Sequence, residues 1–320
     1  MPALLDSWLL LALLAAGFWA ISCVIDVCLV GEGIIKSALE GTIIMGLFSA
    51  IPLVFLVSGS FLASESVDWS VTNTAPIGTA ALAGICYFLH AYFNFRALFA
   101  VNDASNAEIF NNLTVLFVPM FAFVLLGERL HPIYYLALGL ALCGILTLLR
   151  GQIRKMGSNV IIYLLASVVC MSLAMVLQAW ALRYLDYSHA VFFFSSATLA
   201  AAIFLLALDR ERRDRIIGLC KRIGVFFAGV ELLDIAAVLL SQRSTSIAPS
   251  VTLVAVAECA LPVFIMALSG LYLTGSRFWK VASTRMHESI AIQTEGWGTK
   301  VVSISLIACA IVVVHLGGSQ

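Results

Sequence analysis

Eleven polar side chains stand inside runs that are otherwise apolar, and any chemistry must start from them. They are Asp26; Tyr87, His90 and Asn94; Glu108, Asn111 and Asn112; Gln178; Glu231 and Asp234; and Glu258. An ionisable group in hydrocarbon costs several kcal/mol, so it belongs against other protein or a polar cavity. Glu231 and Asp234 are three residues apart and share one helix face. Glu258 precedes Pro262 by four, and the proline cannot donate to the Glu258 carbonyl. In the eleven residues before Glu258 only Ser250 and Thr252 are polar. An acid in that setting can carry a proton or hold a cationic substrate group. Structural readings compete elsewhere. His90 and Gln178 can bond across helices, and Asn111 and Asn112 can join them. Asp26 can reach a membrane interface, and Glu108 follows Ser105 by three, the spacing of a capping box.

The elements that position these groups follow from composition. Of 320 residues, 62% are hydrophobic, mean hydropathy is +1.05 and 11% are charged, where a soluble domain carries about 25%. A water-soluble fold of this length cannot hide that much apolar surface. Disorder, a disulfide scaffold and a secreted globular enzyme are excluded, and a bilayer is expected. Net charge is zero, which argues against nucleic acid. Seven of the eight cysteines lie in apolar runs, Cys220 being the exception, and none has metal-ligand spacing. The residues before Trp8 carry no Lys or Arg, so the first apolar run reads as a retained span rather than a cleaved signal.

A membrane helix needs roughly 20 apolar residues. Such runs fall at Ser7–Val30, Ser37–Ser60, Pro76–Ala100, Ala104–Leu126 and Pro132–Leu149. They recur at Asn159–Tyr184, Tyr187–Leu208, Ile223–Leu240, Ile247–Leu273 and Thr299–Leu316. The expected fold is therefore an all-α integral membrane protein of ten helices. Pro76, Pro132 and Pro249 sit near helix starts, where a missing N–H costs little; Pro52, Pro119 and Pro262 should kink or unwind their spans. Trp8, Trp69, Trp279 and Trp297 fall at span ends, as interfacial rings do. Asp209–Arg222 and Thr274–Gly298 read as loops.

The halves repeat weakly. Pro119 and Pro262 are 143 residues apart, and the same offset brings Ala104-Ser105 onto Ile247-Ala248. Cys143-Gly144-Ile145 and Cys309-Ala310-Ile311 match after a longer loop. Five spans per copy is odd, so the copies, 1–150 and 151–320, must be inverted in the membrane, a transporter architecture. Arg96-Ala97-Leu98, Ala104-Ser105-Asn106-Ala107, Pro119, Gly127-Glu128-Arg129-Leu130, Gly139 and Gly144 resemble the EamA-type half of the drug/metabolite transporter superfamily. Gly17-Phe18-Trp19 is similar to that family's tryptophan-containing opening. The second copy has Thr274-Gly275-Ser276-Arg277 in place of the Gly-Glu-Arg-Leu signature. The resemblance implies ten helices, a central cavity and export or exchange of small solutes.

The expected function is thus secondary transport of a small polar or amphiphilic metabolite, with proton coupling open and no catalysis. The substrate-binding or coupling set is Glu258, Asp234, Glu231, His90, Asn94, Gln178, Trp19, Tyr87 and Asn112. No cofactor is expected: there is no Walker loop. The partners are a small solute, the lipid bilayer and, as an open expectation, a second copy of the chain. Alternatives are an intramembrane lipid-modifying enzyme, which the five scattered histidines argue against, or a non-transporting subunit. With ten spans, only Arg129, Arg183 and Arg243 of the 18 basic residues fall on the side of the termini. The positive-inside rule then places the termini outside the cell membrane, whereas the resemblance implies cytoplasmic termini.

Overall fold

The computed structural model describes residues 7–31, 33–62, 74–101, 110–152, 156–279 and 297–317. Trp69 and the Ala104–Glu108 stretch lie outside them. Among the described residues every regular element is a helix and none is a strand. In chain order they are α1 (Trp8–Gly31), α2 (Ala38–Phe48), α3 (Ala50–Leu62), α4 (Thr74–Val101), α5 (Thr114–Leu126) and α6 (Pro132–Gln152). Then come α7 (Ser158–Ala181), α8 (Tyr187–Leu208), α9 (Arg210–Ile247), α10 (Val251–Glu258), α11 (Leu261–Trp279) and α12 (Trp297–Gly317). Six segments are long and apolar enough to cross a bilayer: Trp8–Asp26, Ala38–Ser58, Thr74–Ala100, Ser158–Ala181, Tyr187–Leu208 and Val251–Tyr272. Shorter apolar helices cover Thr114–Leu126, Pro132–Thr147 and Val301–Gly317.

Local chemistry sets the boundaries. Ser37 caps α2 by accepting from the Glu40 N–H (3.3 Å), and Ser250 caps α10 by accepting from the Thr252 N–H (3.1 Å). Gly127 ends α5 in the left-handed region (φ +65°), with the Glu128 N–H bonded to Ala122 O at 3.2 Å. Two prolines mark breaks inside apolar segments. Ser49 separates α2 from α3 three residues before Pro52, and Cys259–Ala260 separate α10 from α11 just before Pro262. Each proline falls in the first turn of the new helix, where its absent N–H has no intrahelical partner to lose. Pro119, by contrast, stays inside α5.

The Asp209–Arg222 stretch, expected as a loop, is helical. Asp209 caps it, its Oδ1 accepting from the Arg212 N–H (3.0 Å) and its Oδ2 pairing with the Arg212 guanidinium (3.1 Å). The interleaved acids and bases support a solvated first turn, and α9 runs on for 38 residues.

The helices pack through small residues. α4 lies against α7 and α8, α1 against α9, and α6 against α12. Where α4 meets α8, a Cβ on Gly84 would clash with the Phe194 carbonyl oxygen. Thr198 Oγ1 lies 3.1 Å from Gly84 O and 3.0 Å from Phe194 O, tying the two backbones together. Ser303 does the same for α6 and α12, donating to Gly144 O at 2.7 Å. Such close approach replaces the hydrophobic drive that lipid cannot supply. The outer surface is correspondingly apolar: Val225, Val124, Phe55 and Leu271 are 91%, 75%, 70% and 70% exposed. Polar groups such as Ser167, Thr198 and Ser303 are wholly buried.

Gly84 therefore offers a sharp test of the packing. Helix propensity alone would make Gly→Ala favourable by about 0.8–1 kcal/mol, but a Cβ inside the α4–α8 contact forces the backbones apart, at about 1–3 kcal/mol. Gly84→Ala is expected to lower the melting temperature of the detergent-solubilised protein. Gly78→Ala on the same helix, with open space around its Cβ, is expected to leave it unchanged or raise it. Equal melting temperatures for the two variants would contradict the close α4–α8 approach.

Candidate functional site

Helical periodicity gathers the intramembrane polar groups. On α1, Trp19, Ser22, Cys23 and Asp26 recur at steps of three and four and so share a face. On α4, Tyr87, His90, Asn94 and Leu98 do likewise. Both faces line one cavity of about 120 Å³ at the centre of the bundle. Asn111 and Asn112, before α5, complete the wall with Met171 and Met175 of α7, Glu231 and Asp234 of α9, and Glu258 at the end of α10. Eight of the nine residues singled out from sequence thus meet at one place.

Gln178 does not. It lines a smaller adjoining space, where its Nε2 donates to Gln242 Oε1 (3.2 Å) and so joins α7 to α9. Asp26 and Asn111 move the other way, lining the cavity where sequence gave them an interfacial and a packing role. Sequence reasoning missed Ser167, Ser241 and Gln242. Each is a small or neutral polar residue in a long helix, and only its spatial partner reveals its use.

The cavity has two chemically distinct walls. On one, Tyr87 donates to Asp234 Oδ2 at 3.1 Å, and the Trp19 indole bonds the same carboxylate. Glu231 lies one turn before Asp234, and its charged neighbours are acids, Asp234 and Asp26. Glu258 stands apart: its Oε1 accepts from Ser241 Oγ at 2.5 Å, a charge-assisted length. On the other wall, His90 Nδ1 lies 3.1 Å from Ser167 O and 2.9 Å from Ser167 Oγ. A carbonyl only accepts, so this contact assigns the proton of neutral His90 to Nδ1 and leaves Nε2 a lone pair. Ser167 Oγ reaches Asn111 Oδ1 (3.1 Å), and Asn111 Nδ2 donates to Asn94 Oδ1 (3.2 Å). Among the described residues, those around the cavity include four carboxyls and neither Lys nor Arg. Its field favours cations.

The Gly127-Glu128-Arg129-Leu130 stretch plays a different part. It turns the chain between α5 and α6 near Arg183, whose Nη1 donates to Leu126 O (3.2 Å). Both Glu128 carboxyl oxygens are buried without a hydrogen-bond partner among the described residues. Burial pushes this carboxyl up to about 7; Arg183 and the Thr252 N–H, itself committed to Ser250 Oγ, pull it back only in part.

No family model matches the chain, and no curated protein does. A solved structure described as "Crystal structure of protein" has a similar fold, with a TM-score of 0.59 at 18% identity, over 97% of this chain and 96% of that one. At that identity the likeness speaks to the fold alone. It shows that chain and solved structure share one architecture from end to end.

Glu128 makes the pH dependence of stability testable. Its folded value lies above its ordinary 4.5, so the native state favours the protonated form, and stability falls as pH rises through about 7. Glu128→Gln removes that dependence. Above pH ~7 the variant is expected to melt higher than wild type, and below pH ~4.5 the two should coincide. A constant difference across pH would contradict the buried, unbonded carboxyl.

Proposed function

We propose that the protein is a secondary transporter that carries a small polar or amphiphilic solute across a membrane by alternating access. The convergence of eight sequence-selected residues on one internal cavity carries this reading, because the cavity draws its walls from both halves of the chain. A structural subunit has no need of four acids around a central space.

In this reading α2 and α3 make one crossing, as do α10 and α11, giving ten crossings in two halves, 1–150 and 151–320. The packing pattern supports the division. Exchanging the halves sends the α4–α7 contact to α9–α1, and the α5–α7 contact to that of α10 and α11 with α1. The α6–α12 and α5–α10 contacts map onto themselves. The helix interruptions fall at Asn112–Leu113 and Cys259–Ala260, 147 residues apart, one turn from the 143-residue proline offset. Paired interruptions of this kind, near a site at the repeat interface, are how inverted-repeat carriers place backbone groups at membrane depth. Drug/metabolite transporters of the EamA type, which the sequence resembles, fit this arrangement. The basic residues opposite the termini favour a cytoplasmic location for that side, against the cytoplasmic termini that the resemblance implies.

An intramembrane hydrolase is less well supported. The close contact of Ser167 with His90 joins a hydroxyl with no exposure to the ring nitrogen that already donates to Ser167 O. That serine cannot meet a substrate.

Within the carrier, Glu258 is the coupling group: it ends α10 at the break, bonds the facing helix through Ser241, and adjoins the cavity. Binding and release of a proton there would couple to relative movement of α9 and α10. Glu258→Gln is expected to abolish pH-gradient-driven uptake in proteoliposomes while leaving insertion and a monodisperse gel-filtration peak unchanged. Uptake with the same rate and pH dependence as wild type would return Glu258 to helix–helix bonding.

A further inference from the structure

The acids around the cavity do not have equal roles. Glu258 is bonded to Ser241, and Asp234 to Tyr87 and Trp19. Glu231 is half-buried, lines the cavity, and has no hydrogen-bond or ion-pair partner among the described residues. The charged groups nearest to it are two more acids. A carboxylate so placed, with acids for its charged neighbours, gains most from a cation that enters the cavity.

A metal ion is a poor occupant. Among the described residues no three His, Cys, Asp or Glu side chains converge closely enough to hold one. The walls are those of an organic cation site instead: carboxyls on α1 and α9, with the Trp19 and Tyr87 rings beside Asp234. Aromatic faces attract ammonium groups and tolerate their methyl substituents. Met45, Met171 and Met175 supply polarisable, adaptable apolar contact. The volume, about 120 Å³, is somewhat below the ~150 Å³ of an engineered cavity that takes benzene, which limits the occupant to a small head group.

We propose that Glu231, Asp234 and Asp26, with Trp19 and Tyr87, form a binding site for a small organic ammonium group, separate from Glu258. This inference rests on the carrier reading for its physiological meaning, but the site itself is testable without transport. On entry the ammonium displaces cavity water, neutralises the Glu231–Asp234 pair and packs its methyl or methylene groups against the rings. The phenol of Tyr87 and the indole of Trp19 hold Asp234 in place meanwhile, so that the carboxylate is oriented before the cation arrives.

The test is equilibrium binding to the full chain in lipid nanodiscs, by calorimetry, with propylammonium and tetramethylammonium as probes. Trimethylacetate, close in shape to tetramethylammonium but of opposite charge, is the comparison. At least one cation is expected to bind saturably and trimethylacetate not at all. Glu231→Gln is expected to weaken binding about tenfold or more, a change of ~1.4 kcal/mol or more. Glu231→Asp, which keeps the charge, should restore most of it. Asp186→Asn, at an exposed acid far from the cavity, controls for general loss of negative charge and should bind as wild type. Binding of neither cation, or equal binding by wild type and both Glu231 variants, would overturn the site. Cation binding without any solute flux in proteoliposomes would instead leave the site standing and overturn the carrier reading. Flux of another solute without cation binding would do the reverse.

Discussion

The structure depends on one constraint: carboxyl groups at the centre of an apolar bundle must be kept away from hydrocarbon. Asp26 comes from α1, at one end of the chain, and Glu231, Asp234 and Glu258 from the consecutive α9 and α10 more than 200 residues later, and only a bundle that closes around a shared polar space can accommodate them all. The cavity is therefore the arrangement that lets such a sequence fold in a bilayer, and its contents follow from the same requirement. Tyr87 and Trp19 bond Asp234, and Ser241 bonds Glu258.

Holding that space open requires the helices around it to be fixed closely. Lipid offers no hydrophobic drive for helix association, so contact depends on small residues and backbone bonds. Gly84 and Thr198 lock α4 to α8, and Gly144 and Ser303 lock α6 to α12. α5 and α10 are short, and α10 ends in a break at Glu258. The rigid contacts thus surround the cavity, while the interrupted helices border it. In the proposed carrier reading, the breaks are where shape would change while the frame is kept.

Much of this was legible in sequence for a physical reason. In a soluble protein a polar residue on a helix says little, whereas in an apolar run it must have an internal purpose, so Glu258, Asp234 and His90 announced themselves. Helical spacing then put Tyr87, His90 and Asn94 on one face. What could not be read was pairing across helices: nothing local to Ser241 or Ser167 reveals that each faces a titratable group. Gln178 was misplaced by one compartment for the same reason, since its partner Gln242 lies 64 residues away. The Asp209–Arg222 stretch was misjudged because dense charge reads as loop, although alternating signs with an Asp cap suit a helix end as well. The break at Pro262 was legible; that its first-half counterpart falls at Asn112–Leu113, ahead of Pro119 and not at it, was not.

The most direct test of the central claim is counterflow. Proteoliposomes preloaded with an unlabelled panel of small amines, amino acids and neutral metabolites, one solute at a time, are diluted into the same solute carrying a radiolabel, with no ion gradient. A site that opens alternately to each side exchanges inner for outer solute faster than the pool drains, so at least one solute should show a transient overshoot above equilibrium. Passive equilibration without overshoot, or no uptake of any solute above protein-free vesicles, would contradict the account.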